Sequence, residues 1–484
     1  MIPASHPILT CAAARSLEEG LFAGDEAKEW PAMQQAGRAI ARAVLADFEE
    51  IGGFPAAGRI LVLVGKGHNG GDALIAAAEI LRRFPAAQVE LHFVFGERAL
   101  RPLAARARRE LSAATTISAP EAAYDLCLDG IFGFQFRAPA EPRVAALIDQ
   151  VNTLPIRVRA AVDLPSAGLF RADFTYATGS VKTPVLDTPN TGRLRYLDLG
   201  FFRGDEPGEN RVLTPGVLAG LAALRPAASD KRTYGHVFIL AGSLPYPGAA
   251  LMAVLAALRS GVGLVTAFVP ESLVPAYAVR APEAMWVGWP ETSAGSLALE
   301  GWHLLHEKLG RATALVIGPG LGREAETQAL VIQILKNITI PVVLDADALQ
   351  PDLVRAGKTP RILTPHAGEF ARIAGGQTPG ALATELNATV VLKGPVTRVY
   401  DGTTVGHSFF GGPVLSRGGS GDLLAGLTGG LLAQTPGDPA LAAARGVVWH
   451  GRAADLLARA HGAVAVNTTQ LLDYLPAALR VVES

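Results

Sequence analysis

The chain has 484 residues, a formal net charge of −1 and 49% hydrophobic residues. Its length exceeds one ordinary hydrophobic core, so we expect two or three domains, and its apolar content excludes a disordered chain. The near-zero net charge predicts no basic surface for nucleic-acid binding. The sequence contains no run of about 18 apolar residues, so no membrane-spanning helix is predicted.

Cysteine usage and the first residues predict the compartment. Cys11 and Cys127 form neither a C-x-x-C pair nor a metal-binding spacing. This pattern excludes a disulfide framework and favours a reducing compartment. Glu18 and Glu19 come early and no long apolar stretch precedes them. We therefore expect no signal peptide and a cytoplasmic protein.

Strand-like and helix-like runs alternate through the first half of the chain. The predicted strands are Arg59–Val64, Val89–Phe95, Leu126–Asp129 and Val158–Val162. The predicted helices are Pro31–Phe48, Ala73–Phe84, Arg101–Glu110 and Arg143–Val151. Pro31 is expected at the first position of its helix, where its missing N–H removes no hydrogen bond. This alternation predicts a mostly parallel sheet covered by helices on both faces.

The second half also alternates strand-like and helix-like runs, but it shares no sequence motif with the first half. Its predicted strands are His236–Ala241, Leu264–Val269, Ala314–Ile317, Val342–Asp345, Ile362–Thr364 and Val390–Leu392. The stretch from Gly204 to Ser229 is rich in proline and charge, which is typical of a domain junction. The predicted domains are therefore residues 1–212 and 213–484.

One glycine-rich turn opens the first candidate site. The stretch VGKGHNGGDAL, Val64–Leu74, satisfies G-x-G-x-x-G and joins a predicted strand to a predicted helix. Backbone N–H groups at a helix start can bind a pyrophosphate. Glu97, after the second strand, could hold a ribose as in a dinucleotide-binding fold. Close packing of strand and helix explains such glycines equally well, so this motif alone leaves both interpretations open.

Two further polar loops follow predicted strands. They are LDGIFGFQFRAP, Leu128–Pro139, and AVDLPSAG, Ala161–Gly168. Ligands of open α/β sheets bind beyond the carboxyl ends of strands. The oxygens of Asn69, Asp129 and Ser166 suit a monovalent or other hard cation, which leaves Asp72 and Asp163 for substrate or proton transfer. Each aspartate alone could be a helix cap or turn former, but the three loops together favour a site.

These loops, with the helix-like stretch EWPAMQQAGRAIA at Glu29–Ala41, resemble the NAD(P)HX epimerase domain of bifunctional NAD(P)H-hydrate repair enzymes. The resemblance implies a potassium ion at Asn69, Asp129 and Ser166. It implies Asp163 as a catalytic residue, with Lys182 as its possible partner. The implied substrate contacts are His68, Asn69, Gly70, Gly71, Asp72, Gly133, Phe134, Gln135, Phe136, Arg137, Ala138, Pro139 and Asp163.

The implied reaction interconverts the R and S configurations at C6 of the hydrated nicotinamide. Ring opening, or loss and return of water, would both require a general acid–base group. Two positions depart from the family pattern: His68 replaces an asparagine, and Ala167 interrupts the P-S-G order. A first domain that only binds a ligand or stabilises an oligomer therefore stays an alternative.

The strongest signal of the chain is GGPVLSRGGSGDLLAGLTGGLLAQ, Gly411–Gln434. Its glycines lead through Ser420 and Gly421 to Asp422, where a helix-like run begins. Backbone N–H groups there would face a phosphate, and the Asp422 carboxylate could take a proton from an attacking hydroxyl. The sequence contains no Walker motif. The alternative is a glycine-rich turn in which Asp422 is only a favourable charge at a helix N-terminus.

This pattern resembles the ribokinase-like superfamily and, more narrowly, the ADP- or ATP-dependent NAD(P)H-hydrate dehydratases. Stretches that agree in order are Gly235–Thr266, Val316–Arg323, Pro341–Leu349, Ile362–Phe370, Val390–Thr397 and Val447–Asp455. The resemblance implies substrate contacts at Ala249, Gly320, His366 and Asp422, the last being catalytic. The implied nucleotide contacts are Lys393, Gly394, Pro395, Val396, Thr397 and Gly421. Asp345 and Glu369 would organise Mg²⁺ or water.

The sequence thus predicts an α/β protein of two domains, each a mostly parallel sheet flanked by helices, Rossmann-like and then ribokinase-like. The implied function is repair of hydrated NADH and NADPH, by epimerisation at C6 and ADP-dependent dehydration of the S hydrate. The alternative is a ribokinase-like kinase for a vitamin or sugar with a non-catalytic N-terminal binding domain. The expected partners are the hydrates and ADP, without nucleic acid or membrane, in a homo-oligomer.

Overall fold

The computed structural model describes residues 3–111 and 113–480. The chain divides into two compact α/β units. The N-terminal unit is His6–Pro207 with Ala458–Gly462. The C-terminal unit is built on Gly208–Leu457, together with the described residues before 6 and after 462.

The N-terminal unit is a parallel sheet with helices on both faces. Its elements are β1 (Ser5–Leu9), α1 (Cys11–Phe22), α2 (Glu26–Phe48), β2 (Arg59–Val64), α3 (His68–Arg83), β3 (Gln88–Phe93), α4 (Pro102–Glu110), β4 (Thr115–Thr116), β5 (Tyr124–Gly130), α5 (Pro142–Thr153), β6 (Ile156–Val162), β7 (Phe174–Thr178), β8 (Val181–Lys182), α6 (Pro184–Asp187) and β9 (Arg193–Leu197). The strand order is β4-β3-β2-β5-β6-β7-β9, and every pair in it is parallel. Strand β1 pairs with β8.

This order creates a crevice at a defined place. The chain winds in one direction from β2 to β4 and in the other from β5 to β9, so β2 and β5 flank the switch point. Loops that leave their carboxyl ends diverge and open a ligand-sized space. Strand β2 reads RILVLV and is buried from Ile60 to Val64, as a central parallel strand covered on both faces must be.

Two predicted helix starts were wrong. Helix α2 begins at Glu26, because the Asp25 side chain caps it by accepting a hydrogen bond from Ala27 N at 2.9 Å. Pro31 therefore lies inside this helix, where its missing N–H removes one intrahelical hydrogen bond. Helix α3 begins at His68 rather than Ala73. Tertiary packing overrides the weak helix propensity of its glycines.

The C-terminal unit is a second sheet with helices on both faces. Its elements are β10 (Asn210–Leu213), β11 (His236–Leu240), α7 (Pro247–Arg259), β12 (Leu264–Pro270), α8 (Val274–Arg280), β13 (Met285–Trp289), α9 (Trp302–His306), β14 (Ala314–Ile317), α10 (Ala325–Asn337), β15 (Val342–Leu344), α11 (Pro351–Arg355), β16 (Arg361–Leu363), α12 (Ala367–Ile373), α13 (Pro379–Leu386), β17 (Ala388–Leu392), β18 (Thr397–Tyr400), β19 (Val405–Ser408), α14 (Ser420–Gln434), α15 (Pro439–His461) and α16 (Leu471–Leu479).

Its strand order is β13-β12-β11-β14-β15-β16-β17-β18-β19-β10. All pairs are parallel except β17 with β18 and β18 with β19. The switch point lies between β11 and β14. The predicted fold class, two α/β domains with mostly parallel sheets, is confirmed. Within the described ranges, no helix combines the length and apolar character that crossing a membrane requires.

Helix α14 packs against α7 and the sheet through glycines. A Cβ on Gly426 would lie 2.0 Å from the Ala253 carbonyl oxygen, and one on Gly429 would lie 2.1 Å from Val316 Cγ2. We expect Gly426→Ala to lower the free energy of unfolding by about 1–3 kcal/mol, because α7 must move to admit the methyl group. Denaturant titration measures this change. Gly437→Ala is the control, since nothing lies within 4 Å of its added Cβ. Equal losses in the two variants would contradict the packing argument.

Candidate active sites of the two units

A cavity of about 430 Å³ lies at the carboxyl ends of β2, β5 and β6 in the N-terminal unit. All three predicted loops contribute to its wall, as expected for loops that follow the carboxyl ends of neighbouring parallel strands. The predicted site residues that line it are His68, Asn69, Asp72, Gly133, Phe134, Gln135, Phe136, Arg137, Pro139, Asp163 and Lys182.

Three predicted contact residues do not line this cavity. Ala138 is exposed, and Gly70 and Gly71 are buried in the first turns of α3. A Cβ on Gly70 would lie 2.3 Å from the Gly65 carbonyl oxygen, and one on Gly71 would lie 2.7 Å from Met33 Sδ. Close packing therefore explains these two glycines.

Asp129 and Ser166 form one buried cluster beneath the cavity. The Asp129 carboxylate has 0% exposure and accepts hydrogen bonds from Ser166 N at 2.8 Å and Ser166 Oγ at 2.6 Å. Ser166 Oγ in turn accepts from Phe132 N at 3.0 Å. Burial raises the pKa of Asp129 to about 6, and these hydrogen bonds oppose that rise. Among the described residues, no cationic side chain pairs with this carboxylate.

Asn69 reaches the same place from α3. Its Nδ2 donates to the carbonyl oxygens of Phe132 at 3.2 Å and Val162 at 2.8 Å. Its Oδ1 accepts no hydrogen bond from a described residue, and an added Gly133 Cβ would lie 2.6 Å from that oxygen. The structure thus brings Asn69 to the loops that carry Asp129 and Ser166.

Asp163 and Lys182 form a buried ion pair in the cavity wall. Lys182 Nζ donates to Asp163 Oδ1 at 2.5 Å and to the Thr178 carbonyl oxygen at 3.2 Å. The two residues are 3% and 1% exposed. Burial raises the pKa of Asp163, although the ammonium of Lys182 opposes this. Asp163 adopts φ of +66°, a left-handed conformation that aspartate and asparagine tolerate better than most residues.

Several cavity residues were not found from the sequence. Glu18 of α1 lines the cavity, as do Lys66, Arg101 and Thr178. No local pattern distinguished Glu18 from the other charges of its helix, because only tertiary packing brings α1 to this place. Glu97, considered above as a ribose ligand, instead forms an ion pair with Arg108 Nε at 3.0 Å and does not line the cavity.

The cavity also has an aromatic wall. Phe132 and Phe136 have ring centroids 4.3 Å apart, and Phe95 lies 5.9 Å from Phe132. Lys66 Nζ lies over the Phe95 ring and Lys182 Nζ over the Phe134 ring. Flat apolar surfaces beside cationic groups suit a ligand that joins an aromatic or heterocyclic ring to an anionic group.

The C-terminal unit brings charged residues together at the N-terminus of α14. Lys393 Nζ lies 3.0 Å from Asp345 Oδ1 and 3.8 Å from Glu369 Oε2. An added Cβ on Gly421 would lie 3.2 Å from Lys393 Nζ. Burial alone would lower the pKa of Lys393, but Asp345, Glu369 and Asp422 raise it. The lysine is therefore a fixed cation at the start of α14.

Asp422 occupies the first turn of this helix. No described residue forms a hydrogen bond or ion pair with its carboxylate. Burial, and then the Asp345 carboxylate, raise the pKa of Asp422 to about 6, while Lys393 opposes the rise. The group is ionised at neutral pH and is more basic than an ordinary aspartate. A free carboxylate beside a cation and helix N–H groups can accept a proton during transfer to an anionic group.

The glycine loop after β14 approaches α7 closely. Gly320 has φ of +63°, and its added Cβ would lie 2.9 Å from Ala249 Cβ. The structure thus places these two predicted substrate residues side by side at the switch point. Asp347, which the sequence argument left without a role, fixes the end of this loop by accepting hydrogen bonds from Gly322 N at 3.0 Å and Arg323 Nε at 2.9 Å.

His366 and the predicted nucleotide residues follow β16 and β17. His366 caps α12 through Nδ1, which accepts hydrogen bonds from Gly368 N and Glu369 N. Its ring is exposed, so capping leaves the other ring nitrogen accessible. The residues 393–396 form the turn between β17 and β18, beside the start of α14, and Thr397 is the first residue of β18. Gly394 and Pro395 are exposed there, while Val396 and Thr397 are half-buried.

Comparisons with known proteins agree with this arrangement. Residues 237–477 match the family model described as NAD(P)H-hydrate dehydratase, and residues 31–184 match that of the YjeF-related protein N-terminus. The chain is 36% identical to the bifunctional NAD(P)H-hydrate repair enzyme of Gloeobacter violaceus, over 97% of both chains. It is 35% identical to the enzyme of that name from Mycobacterium tuberculosis, over 78% of both.

Solved structures of single-domain proteins are similar to the C-terminal unit. A ribokinase-like superfamily protein from Enterococcus faecalis is 28% identical, with a TM-score of 0.50, over 57% of this chain and 98% of that one. The family predicted from the motifs is therefore confirmed. The chain belongs to the family of bifunctional NAD(P)H-hydrate repair enzymes.

Proposed function

We propose that residues 1–212 epimerise hydrated NADH and NADPH at C6, and that residues 213–484 dehydrate the S hydrate with ADP as phosphoryl donor. The observation that carries the second activity is the free Asp422 carboxylate in the first turn of α14, beside Lys393. The first activity is supported by the buried Asp163–Lys182 pair in an aromatic-walled cavity.

In the dehydratase site, Asp422 takes the proton of the C6 hydroxyl, and the hydroxyl oxygen attacks the terminal phosphorus of ADP. The bond between that phosphorus and the bridging oxygen breaks, and AMP leaves. Phosphate is then lost from C6 with the C6–O electrons, while the ring nitrogen donates its lone pair. Loss of a proton from C5 restores NAD(P)H. Lys393 and the N–H groups at the start of α14 balance the charge of the phosphoryl group.

In the epimerase site, Asp163 moves the proton at the C6 hydroxyl, and Lys182 holds the carboxylate in place. A raised pKa suits an aspartate to this work, because it must both release and accept a proton near neutral pH. The phenylalanine wall supplies a flat surface for the nicotinamide ring, and Lys66, Arg101 and Arg137 supply positive charge for its phosphates.

The residues present fit a potassium ion in the epimerase unit. Asp129 is a buried carboxylate with no cationic partner among the described residues, and Asn69 Oδ1 accepts no hydrogen bond from any of them. Hard oxygen donors of this kind suit a hard monovalent cation. Asn69, Asp129 and Ser166 would hold it, and it would supply positive charge beneath the cavity.

Potassium is expected to stabilise the protein. Binding to the native state alone raises the free energy of unfolding, by about 1–3 kcal/mol at a moderate excess of the ion over its Kd. Thermal unfolding in potassium chloride and in tetramethylammonium chloride of equal ionic strength measures the difference. Asp129→Asn should abolish the stabilisation by potassium, whereas Asp149→Asn, an exposed change on α5, should leave it unchanged. A potassium effect that survives Asp129→Asn would contradict this site.

Magnesium in the dehydratase site would come with the nucleotide. Within the described ranges, no three His, Cys, Asp or Glu side chains stand together as a ready metal site. Mg²⁺ is usually held by one or two carboxylates, waters and substrate phosphates, so Asp345 and Glu369 near Lys393 fit that mode. Bound there, it would neutralise phosphate charge.

The test is a direct repair assay. Acid-hydrated NADH is incubated with the protein and ADP or ATP, with and without Mg²⁺, and recovery of the reduced-nicotinamide absorbance is followed. We expect recovery of the R as well as the S hydrate, with ADP as the better donor. No recovery with either nucleotide would overturn the proposal. Homo-oligomerisation stays a prediction, which light scattering of the purified protein checks.

A further inference from the structure

Three carboxyl groups that line the N-terminal cavity have no role in the mechanism above, and one of them, Glu141, pairs with Arg143 at 2.9 Å. Asp72 of α3 and Glu18 of α1 both line the cavity that contains Asp163 and Lys182. Both also line an adjoining cavity of about 200 Å³. They therefore lie where the substrate cavity meets a second, smaller space.

Asp72 is buried without a partner. It is 7% exposed, and no described residue forms a hydrogen bond or an ion pair with its carboxyl group. A buried polar group in this condition is costly unless it meets a ligand or carries a proton. Close packing explains Gly70 and Gly71 in the same turn. It does not explain Asp72, whose side chain lines the cavity.

The surroundings of Asp72 are acidic. Glu18 of α1 and Glu29 of α2 line the same space as Asp72, and Glu29 pairs with His68 at 3.3 Å. The Asp163–Lys182 ion pair lines the larger cavity with Asp72. Burial, and then Asp163 and Glu18, raise the pKa of Asp72 well above its ordinary value. Burial also raises the pKa of Glu18 to about 7. Asp72 is thus a weaker acid than an ordinary aspartate, and Glu18 exchanges protons near neutrality.

We propose that Asp72 is a second catalytic acid–base residue of the epimerase site, and that Glu18 exchanges protons with it. The proposal rests on the epimerase function proposed above. By the route of loss and return of water, oxygen leaves from one face of the ring at C6 and returns on the other. Asp163 follows β6 and Lys182 lies in β8, whereas Asp72 and Glu18 come from helices, so separate acid–base groups of different elements line one cavity. In this proposal Asp72 acts on one face of the bound ring and Asp163 on the other.

The proton balance of one inversion is complete. Protonated Asp72 gives its proton to the C6 hydroxyl, the C6–O bond breaks with its electrons on oxygen, and water leaves. The ring nitrogen lone pair forms a double bond to C6, which gives an iminium cation. A water on the other face forms the new C6–O bond and loses a proton to the Asp163 carboxylate. The reverse sequence inverts the other epimer.

Each inversion therefore moves one proton from Asp72 to Asp163, and the enzyme must be reset. Glu18 gives a proton to Asp72 and recovers one from water in the adjoining cavity, while Asp163 releases its proton beside Lys182. The position of Glu18 in the walls of both cavities suits this exchange.

The test follows both hydrates by chromatography. Asp72→Asn and Glu18→Gln are compared with Asp149→Asn, an exposed control on α5 that lines neither cavity. We expect Asp72→Asn to lower kcat for conversion of R to S by about 10²-fold. Its dehydration of pure S hydrate with ADP should stay unchanged. Its unfolding midpoint at pH 8 should not fall, because asparagine removes a buried acid that resists ionisation.

The pH–rate profile separates catalysis from structure. Glu18→Gln should flatten the dependence of the epimerisation rate on pH near 7, and Asp149→Asn should keep the profile of the native chain. If Asp72→Asn keeps kcat within twofold, or changes only KM, the proposal is overturned. If Asp72→Asn does not fold, the Glu18→Gln profile decides, and an unchanged profile overturns it. A native chain that cannot interconvert the hydrates would instead overturn the epimerase function itself.

Discussion

Replacing Asp422 with asparagine is expected to lower kcat/KM for ADP-dependent dehydration by about 10²–10⁴-fold, the usual contribution of a general base. Asparagine has the same size but cannot accept the hydroxyl proton. Affinity for ADP should change little, because Lys393 and the N–H groups at the start of α14 remain in place. Absorbance recovery with pure S hydrate measures the rate, and calorimetry measures ADP binding. Glu385→Gln, an exposed change on α13, is the control.

The same carboxylate predicts a pH dependence. The pKa of Asp422 is about 6, and the base must be ionised to work. The native rate should therefore be constant above pH 7 and fall tenfold for each pH unit well below 6. The residual rate of Asp422→Asn should not show this fall below pH 6. A variant that keeps the native rate, or keeps this fall below pH 6, would assign the proton transfer to another group.

The strands at the switch points could be predicted closely from the sequence. Arg59–Val64 and Ala314–Ile317 coincide with β2 and β14, because a central strand buried on both faces is a continuous apolar run. The strands β18 and β19 were missed because each has only four residues and neither is a continuous apolar run; β18 is half-buried, and β19 is mostly buried but reads VGHS. The start of α3 was missed because its glycines are stabilised by contacts with β2 and α2 that local propensity does not contain.

The site residues also fall into those that the sequence could predict and those that it could not. Asp129, Asp163 and Asp422 were predicted as site residues because Asp129 ends a predicted strand, Asp163 follows one and Asp422 begins a helix, each in a polar, glycine-rich context. The sequence could not separate glycines that admit a ligand from glycines that admit a neighbouring backbone, as Gly70 shows. It also gave no sign of Glu18, whose place in the cavity depends on how α1 packs within its unit.

Replacing Asp163 with asparagine is expected to have the largest effect on the N-terminal unit. Asparagine tolerates the left-handed conformation at φ of +66°, so the backbone should not resist the change. Lys182, 1% exposed, would lose its only carboxylate partner among the described residues. Breaking a buried pair in this way costs about 3–5 kcal/mol. Conversion of R to S hydrate should fall by about 10²–10⁴-fold if Asp163 is the general acid–base group.

A double-mutant cycle separates the two effects of this pair. Lys182→Met leaves a buried carboxylate and should also destabilise, whereas Asp163→Asn with Lys182→Met leaves no buried charge and should regain much of the lost stability. Denaturant titration measures the four stabilities, and chromatography of the hydrates measures the four rates. A purely structural pair would recover stability and epimerisation together in the double variant. A catalytic Asp163 requires that stability returns while epimerisation does not.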